Sequence, residues 1–374
     1  MSRLATVLGM LLAGTLAVGA QSNVVIESFG LPGQITFSKV TNAAQYRVEW
    51  SSAAGGSWTN FAAAAASLDA IVSPELGVVT ASVPMLYRVV ATEKPPNMAL
   101  IPAGSFIMGN ATNVFPADEG FPRELPQHTV DVSAFDMDKY EVTKALWDEV
   151  TAYNGGNGYE YSNPGSGDAA NHPVHTVNWF DAVKWCNARS QRDGLTPVYY
   201  TDEGFATVYK TNEIAPYANW TANGFRLPTE AEWEKAARGG VADTRFPWTD
   251  YTNRISHAKA NYYGDSSTYS YDLSSGPHPT YGGSASPVGS FAPNGYGLYD
   301  MAGNVGEWCW DRYDISYYSS SPATDPRGPT SGVSRVLRGG SWPNDARTLR
   351  CAMRDNRDPD FENVIYGFRC ARGR

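Results

Sequence analysis

The sequence predicts an α+β protein in which a small all-β sandwich precedes a larger, irregular domain. Its length of 374 residues corresponds to two or three domains of ordinary size. The chain holds 36 Gly and 24 Pro, and 13% of its residues are aromatic, which favours loops pinned by large rings over a helical bundle. Alternating apolar and polar residues occupy 23–95, whereas only three helix patterns follow.

The first 20 residues predict an export signal. Arg3 supplies a short positive region, Leu4–Leu16 is apolar, and Val18-Gly19-Ala20 places small residues before a cut at Gln21. A retained membrane anchor is the alternative, because the apolar stretch is at the lower limit for a membrane span. We therefore expect an exported chain that is periplasmic, cell-surface or secreted, with no membrane attachment once the signal is cleaved.

The charge of the chain argues against two classes of partner. It carries 29 basic and 38 acidic residues, for a net charge of −9, and no run of basic residues. Nucleic acids and anionic membranes attract basic surfaces, so neither is an expected partner.

The stretch 23–95 has the pattern of a small β-sandwich. Short runs alternate between apolar and polar residues and are separated by turn residues such as Gly55-Gly56. The runs are Gln34–Phe37, Gln45–Trp50, Trp58–Phe61, Val78–Val83 and Leu86–Val90. This pattern resembles a fibronectin type III module, and the charged, Pro-rich segment Glu93–Pro96 marks a domain boundary.

Three helices are predicted after the boundary, at 143–152, 179–192 and 230–238. The first begins at Thr143 and the second follows Asn178, both good N-caps. The third follows Thr229, with Glu232 completing a Thr-x-x-Glu capping box and Gly239-Gly240 ending the helix. Beyond Gly240 the chain shows no helical pattern, so we expect an irregular, loop-built surface.

Four segments carry a resemblance to a known family. They are Ile101–Gly109 (IPAGSFIMG), Phe225–Glu234 (FRLPTEAEWE), Asn294–Trp308 (NGYGLYDMAGNVGEW) and Arg335–Trp342 (RVLRGGSW), closed by Gly367–Arg369. In this order the chain resembles the formylglycine-generating enzymes, or sulfatase-modifying factors, over residues 97–374. The resemblance implies an irregular α+β fold related to C-type lectins, bound calcium, and oxidation of a sulfatase cysteine at a copper(I)-binding cysteine pair.

A calcium site is predicted in the third segment. Asp300 and Glu307 flank a tight Gly303–Gly306 turn, and carboxylates with free carbonyls suit a hard cation. The resemblance implies that Asp300 and Glu307 ligate calcium through their side chains, and Gly303 and Val305 through their carbonyls. The alternative is an Asx-type turn capped by Glu307, with no metal.

A second calcium site is expected at Asn261 and Tyr262, which match the first ligands of another site in the family. The acid that should complete that site aligns near Thr280, so this second site is altered or lost.

The four cysteines predict two disulfides in an exported chain, with three pairings possible from the count alone. The resemblance implies a bond between Cys186 and Cys370. Cys351 matches a family disulfide cysteine whose usual partner position is Ala237 here, which leaves Cys309 as the substitute and gives Cys309–Cys351.

The cysteine pair that performs the family's chemistry is missing from its expected place. The segment 343–350 contains no cysteine and is about three residues shorter than in the active enzymes, and Gly306 replaces an active-site Trp. Ser341 matches an active-site Ser and is the one candidate catalytic residue, but copper(I) requires soft thiolate ligands. A site built from Cys309 and Cys351 is the alternative, with copper as a cofactor only in that case.

Three functions follow from these observations. The first is an exported, calcium-stabilised recognition module with a protein or glycan ligand. The second is an active oxidase that converts a sulfatase cysteine to formylglycine, and the third is another enzyme at the same cleft. Aromatic pairs at Tyr262-Tyr263, Tyr269–Tyr271 and Tyr317-Tyr318 line a binding face in the first hypothesis, or else pin their own loops.

Overall fold

The structure is a computed structural model that describes residues 97–110, 120–153 and 157–374 in full and, before them, strands between Ser22 and Glu93. The chain divides into two compact units, Met1–Pro95 and Pro96–Arg374. The predicted export signal at 1–20 lies outside the described residues. Within those residues, no helix has both the length and the apolar character that a membrane crossing requires.

The first unit contains seven described strands in two antiparallel sheets. The strands are β1 (Ser22–Asn23), β2 (Ile26–Gly30), β3 (Gln34–Phe37), β4 (Ala43–Ser51), β5 (Thr59–Asn60), β6 (Val78–Thr80) and β7 (Leu86–Glu93). One sheet has the order β1-β7-β4-β5 and the other β2-β3-β6. Strands β3 to β7 coincide with the five alternating runs, whereas β1 and β2 lie outside them. The likeness to fibronectin type III stays a prediction.

The second unit is built from short strands, three helices and long irregular connections. Its strands are β8 (Met98–Ile101), β9 (Gly104–Met108), β10 (His128–Val132), β11 (Phe135–Asp138), β12 (Tyr199–Tyr200), β13 (Tyr217–Ala218), β14 (Phe225–Arg226), β15 (Gly264–Asp265), β16 (Ser275–Gly276), β17 (Gly306–Arg312), β18 (Arg335–Arg338), β19 (Asp355–Arg357), β20 (Tyr366–Gly367) and β21 (Ala371–Gly373). The helices are α1 (Lys144–Tyr153), α2 (Trp179–Arg192) and α3 (Glu230–Arg238), with 3-10 turns at Pro122–Glu124, Tyr317–Ser319 and Ala346–Leu349.

All three predicted helices are confirmed, and their local signals act as expected. The side chain of Asn178 accepts a hydrogen bond from the N–H of Asp181 at 2.8 Å. Thr229 and Glu232 form a complete capping box at the start of α3. Gly239 ends α3 in the left-handed region, with φ of 60°, which favours glycine.

The sheet β19-β18-β17-β20 separates two hydrophobic clusters of this unit. Alternate residues of a strand point to opposite faces. Trp308 and Leu337 join the cluster around α1 and α2, while Cys309 and Val336 join the cluster that contains Trp233 of α3. The residues at the start of β17 are thereby packed on both faces, which makes them a rigid base for the loop that precedes them.

Buried arginines bind carboxylates throughout the second unit. Arg338 lies 2.6 Å from Glu234, and Arg354 donates two hydrogen bonds to Glu230 at 2.6 and 2.7 Å. Arg350 makes a similar pair with Glu124. Backbone carbonyls are further partners of these arginines, since Arg338 also donates to the carbonyls of Cys351 and Ala352. Each pair satisfies charges that could not otherwise be buried in an irregular core.

Candidate functional site

The loop before β17 packs its backbone directly against another loop. Gly303 has φ of 82°, and a Cβ at this position would lie 2.3 Å from the carbonyl oxygen of Asn261. That same oxygen accepts the N–H of Asn304 at 2.9 Å, and the N–H of Gly303 donates to Gly339 at 2.9 Å. Only glycine allows this approach, so Gly303 determines the path of the loop that holds the predicted calcium ligands.

Asp300 has one buried carboxylate oxygen that no described residue contacts as a hydrogen-bond donor. The side chain is 7% exposed, and its Oδ2 accepts the N–H of Gly289 at 2.6 Å. Its Oδ1 has no hydrogen-bond partner among the described residues. Burial, with a smaller contribution from the charge of Glu307, raises the pKa of Asp300 to about 6. A buried acceptor without a donor is costly, and a bound cation would satisfy it.

Glu307 is fully engaged by its neighbours. Arg369 donates to both of its carboxylate oxygens, at 2.6 and 2.7 Å, and the indole N–H of Trp233 donates at 2.8 Å. The predicted alternative, in which Glu307 caps its own turn, has no counterpart in these contacts. Glu307 therefore anchors β17 to Arg369, and any metal would share it with that guanidinium.

Glu141 is a site residue that sequence reasoning missed. Its Oε1 accepts the N–H of Val305 at 3.2 Å and its Oε2 accepts the amide of Asn304 at 2.8 Å. Burial, followed by the charges of Asp300 and Glu307, raises the pKa of Glu141 well above its usual range. Glu141 lies in a mixed stretch just before α1, with Asp138 and Lys139 close to it, so local patterns do not distinguish it from a surface residue.

The loop brings together acids of the ligand type that calcium prefers. Three carboxylates, Glu141, Asp300 and Glu307, influence one another, with one guanidinium, Arg369, among them. In the described part of the chain, however, no three His, Cys, Asp or Glu side chains are grouped closely enough to hold a metal. A cation here needs carbonyl ligands as well, as the resemblance implied for Gly303 and Val305.

The predicted second calcium site has its polar groups occupied by protein. The side-chain amide of Asn261 donates to the carbonyl of Ser284 at 2.9 Å. The phenol of buried Tyr262 donates to Asp272, whose other oxygen accepts the N–H of Asp265 at 2.7 Å. The acid next to Tyr262 is thus Asp272 rather than a residue near Thr280, and calcium binding at Asn261 and Tyr262 stays a prediction.

Ser341 is buried and bonded within its own turn. Its N–H and its hydroxyl both donate to Oδ1 of Asn344, at 3.0 and 2.7 Å. Asp345 then accepts the N–H of Arg347 and caps the 3-10 turn Ala346–Leu349. A closed polar turn therefore stands where the resemblance places two thiolates.

Tyr366 occupies the space beside Gly306. A Cβ on Gly306 would lie 3.2 Å from the Tyr366 ring, which is tighter than ordinary van der Waals contact. A Trp side chain at 306 would therefore displace this ring, so the surroundings of residue 306 fit glycine.

All four cysteines are buried free thiols in the structure. The sulfurs of Cys186 and Cys370 lie 3.6 Å apart, so these two are neighbours, while Cys309 and Cys351 share one core cluster. Both pairings stay predictions. Burial raises the pKa of Cys309 well above its usual range and that of Cys351 to about 12. Buried thiols of this kind stay protonated and are poor nucleophiles or metal ligands.

The aromatic pairs mainly pin loops. Tyr262 is fully buried and Tyr318 is 2% exposed, which corrects the hypothesis that both line an open face. Tyr269 and Tyr271 stack on each other with ring centroids 5.5 Å apart. Tyr263 is the exception, because 47% of it is exposed and its N–H donates to the carbonyl of Asn344.

The fold and this site define an irregular α+β domain of the C-type-lectin kind, as the sequence predicted. The chain belongs to the FGE-sulfatase family: the family's sulfatase-modifying factor enzyme 1-like domain matches residues 86–374. The chain is 33% identical over 291 residues to the formylglycine-generating enzyme of Streptomyces coelicolor, covering 72% of this chain and 87% of that protein.

Other relatives carry different names. The serine/threonine-protein kinase pkn1 of Chlamydia pneumoniae is 33% identical over 319 residues, which cover 77% of this chain and 41% of that protein. Among solved structures, the Treponema denticola variable protein 1 superposes with a TM-score of 0.56 at 30% identity, covering 79% of this chain and 98% of that one. The predicted family and fold are confirmed.

Proposed function

We propose that this chain is an exported, calcium-stabilised recognition module that does not oxidise cysteine. The observation that carries the proposal is the turn from Ser341 to Asn344, in which a hydroxyl and an amide are bonded to each other where the oxidases need thiolates. A fold can retain its scaffold while the chemistry of its site changes. The differently named relatives of this domain are consistent with that view.

The ligand chemistry of the segment supports the absence of copper. Copper(I) is a soft ion that prefers sulfur, whereas Asn344 and Asp345 offer oxygen and amide nitrogen. Cys309 and Cys351 are the two thiols of the alternative copper site, and both are 1% exposed or less. Protonated thiols enclosed in a core supply neither the metal ligand nor an approach for a substrate cysteine.

Calcium supplies structural charge neutralisation in this proposal. Asp300 and Glu307 would hold it with side-chain oxygens, and Gly303 and Val305 with backbone carbonyls. The Oδ1 of Asp300 supports this assignment, because this buried oxygen has no donor among the residues that the structure describes. Glu141 would hold the loop in place beside the ion by accepting the N–H of Val305.

The ligand in this proposal is a protein or glycan that the chain binds after export. Tyr263 offers an exposed ring beside the altered segment, since its N–H is bonded to Asn344. Trp342 lies between Ser341 and that segment and is half-buried, so the two rings bring aromatic surface to one region. Exposed aromatic rings are effective contact groups for both classes of ligand.

The test is an assay for conversion of cysteine to formylglycine in a sulfatase-motif peptide, with copper(I), reductant and oxygen. We expect no mass change, while the Streptomyces coelicolor relative run in parallel shows turnover. Turnover by this chain that disappears in Cys351→Ser would refute the proposal and establish the oxidase. Cys186→Ser is the matched control, because that thiol lies in the other core cluster.

A further inference from the structure

A polar pocket of about 200 Å³ lies on the second unit, away from the loop before β17 and the turn at Ser341. It is a partly open pocket bordered by the turn between β10 and β11, the approach to β14, the start of α3, the segment 325–327 and the end of β21. The lining residues that matter are Ser133, Trp220, Arg226, Asp325, Arg327 and Arg374.

Two of the three lining arginines are neutralised by protein carboxylates. Arg226 donates to both oxygens of Glu232, each at 2.6 Å. Arg374 donates to both oxygens of Asp136, at 3.0 and 2.7 Å. In these bidentate pairs the charge of each guanidinium is balanced by a carboxylate.

Arg327 has no such carboxylate. Among the described residues, no carboxylate oxygen lies within 4.0 Å of its guanidinium nitrogens. The guanidinium instead lies 4.3 Å from the centre of the Trp220 ring. Burial lowers the pKa of Arg327, while the more distant charge of Asp325 raises it. Arg327 is thus an exposed guanidinium that lies on the Trp220 ring, with no carboxylate at ion-pair distance among the described residues.

Asp325 is the complementary case. Its two oxygens accept the N–H and the hydroxyl of Ser133, each at 2.7 Å, but within the described ranges no cation lies at ion-pair distance. Its backbone has φ of 42°, a left-handed conformation that side chains rarely adopt. Strain of this kind persists where the surrounding contacts enforce it and is concentrated at functional sites.

We infer that this pocket binds a small zwitterion of the free amino-acid type, with its carboxylate on Arg327 and its ammonium on Asp325. Because Arg226 and Arg374 are paired with protein carboxylates, Arg327 and Asp325 remain as one cation and one anion on the pocket wall. A ligand with one charge of each sign therefore keeps the site neutral. A simple anion would satisfy Arg327 and leave an excess negative charge beside Asp325. The volume accommodates a compact amino acid, and the inference is independent of the proposed function.

Titration calorimetry with three isosteric probes tests this inference. L-Alanine carries both charges, lactate lacks the ammonium and alaninamide lacks the carboxylate. We expect L-alanine to bind at least about tenfold more tightly than either analogue, since each lost contact is a charge-assisted one. Equal binding of L-alanine and lactate would show an anion site instead, and no binding of L-alanine at millimolar concentration would refute the inference.

Two substitutions assign the contacts. Arg327→Gln should reduce the affinity for L-alanine to that of alaninamide, and Asp325→Asn should reduce it to that of lactate. Arg312→Gln is the matched control, because it removes the same charge from a partly exposed side chain that does not line the pocket and donates to the carbonyl of Gly332. Unchanged L-alanine binding in a folded Arg327→Gln protein would overturn the assignment.

Discussion

Replacing Gly303 with alanine tests the close contact that determines the path of the loop before β17. The new Cβ would lie 2.3 Å from the backbone oxygen of Asn261, and φ at this position is 82°. A left-handed non-glycine residue costs about 1 kcal/mol. If the two loops move apart to relieve this contact, the hydrogen bond from the N–H of Asn304 to the carbonyl of Asn261 is lost. Leaving a buried polar group without its partner adds about 1–3 kcal/mol to the cost.

We therefore expect Gly303→Ala to lower the free energy of unfolding by about 2–4 kcal/mol. In a domain of this size that corresponds to a fall in Tm of roughly 5–10 °C. Thermal and urea denaturation should be measured with chelator present, so that loss of a metal does not contribute to the change.

Gly297→Ala is the control for the contact. Gly297 has a similar φ of 77°, but a Cβ there would meet nothing within 4 Å. This control should cost only the conformational term of about 1 kcal/mol. If the two alanine variants unfold at the same temperature, Gly303 does not approach Asn261 and the description of the loop is wrong.

Four further outcomes are expected. Calcium at a hundredfold excess over its Kd should raise the free energy of unfolding by about 2.7 kcal/mol and therefore raise Tm, and Asp300→Asn should abolish both effects. In chelator, stability should fall by about 1–3 kcal/mol as pH rises from about 4 to about 6, because the raised pKa of Asp300 means that the folded state keeps a proton that the unfolded state loses. Arg354→Met should cost about 3–5 kcal/mol in urea denaturation, since it leaves Glu230 buried without this partner. Non-reducing peptide mapping of exported protein should link Cys186 to Cys370, whose sulfurs are adjacent.

Each of these outcomes has a control. If neither calcium nor chelator changes Tm, the loop does not bind calcium. If Asp300→Asn leaves the pH dependence of stability unchanged, the carboxylate of Asp300 is not its source. Arg192→Ala breaks an exposed ion pair with Glu149 and should cost less than about 1 kcal/mol. Recovery of Cys186 as a free thiol from oxidised, exported protein would contradict the pairing.

Local chemistry in the sequence determined the helices and the family. Asn178 and Thr229 begin their helices with hydrogen bonds that span three residues, and Gly239 ends α3 by its own conformational freedom. Such interactions are complete within one turn of chain, so a short stretch of sequence specifies them. The loop around Asp300 was predictable for the same reason, since its glycines and acids lie within eight residues.

The tertiary structure alone decided which distant groups meet. Glu141 reaches Asn304 across 163 positions of sequence, and Arg350 finds Glu124 across 226. The burial of Tyr262 and the pocket around Arg327 likewise arise from packing of several separate segments. Local patterns cannot specify these meetings, because in an irregular fold the partner of a buried charge is determined by the path of the loops and not by a repeating spacing.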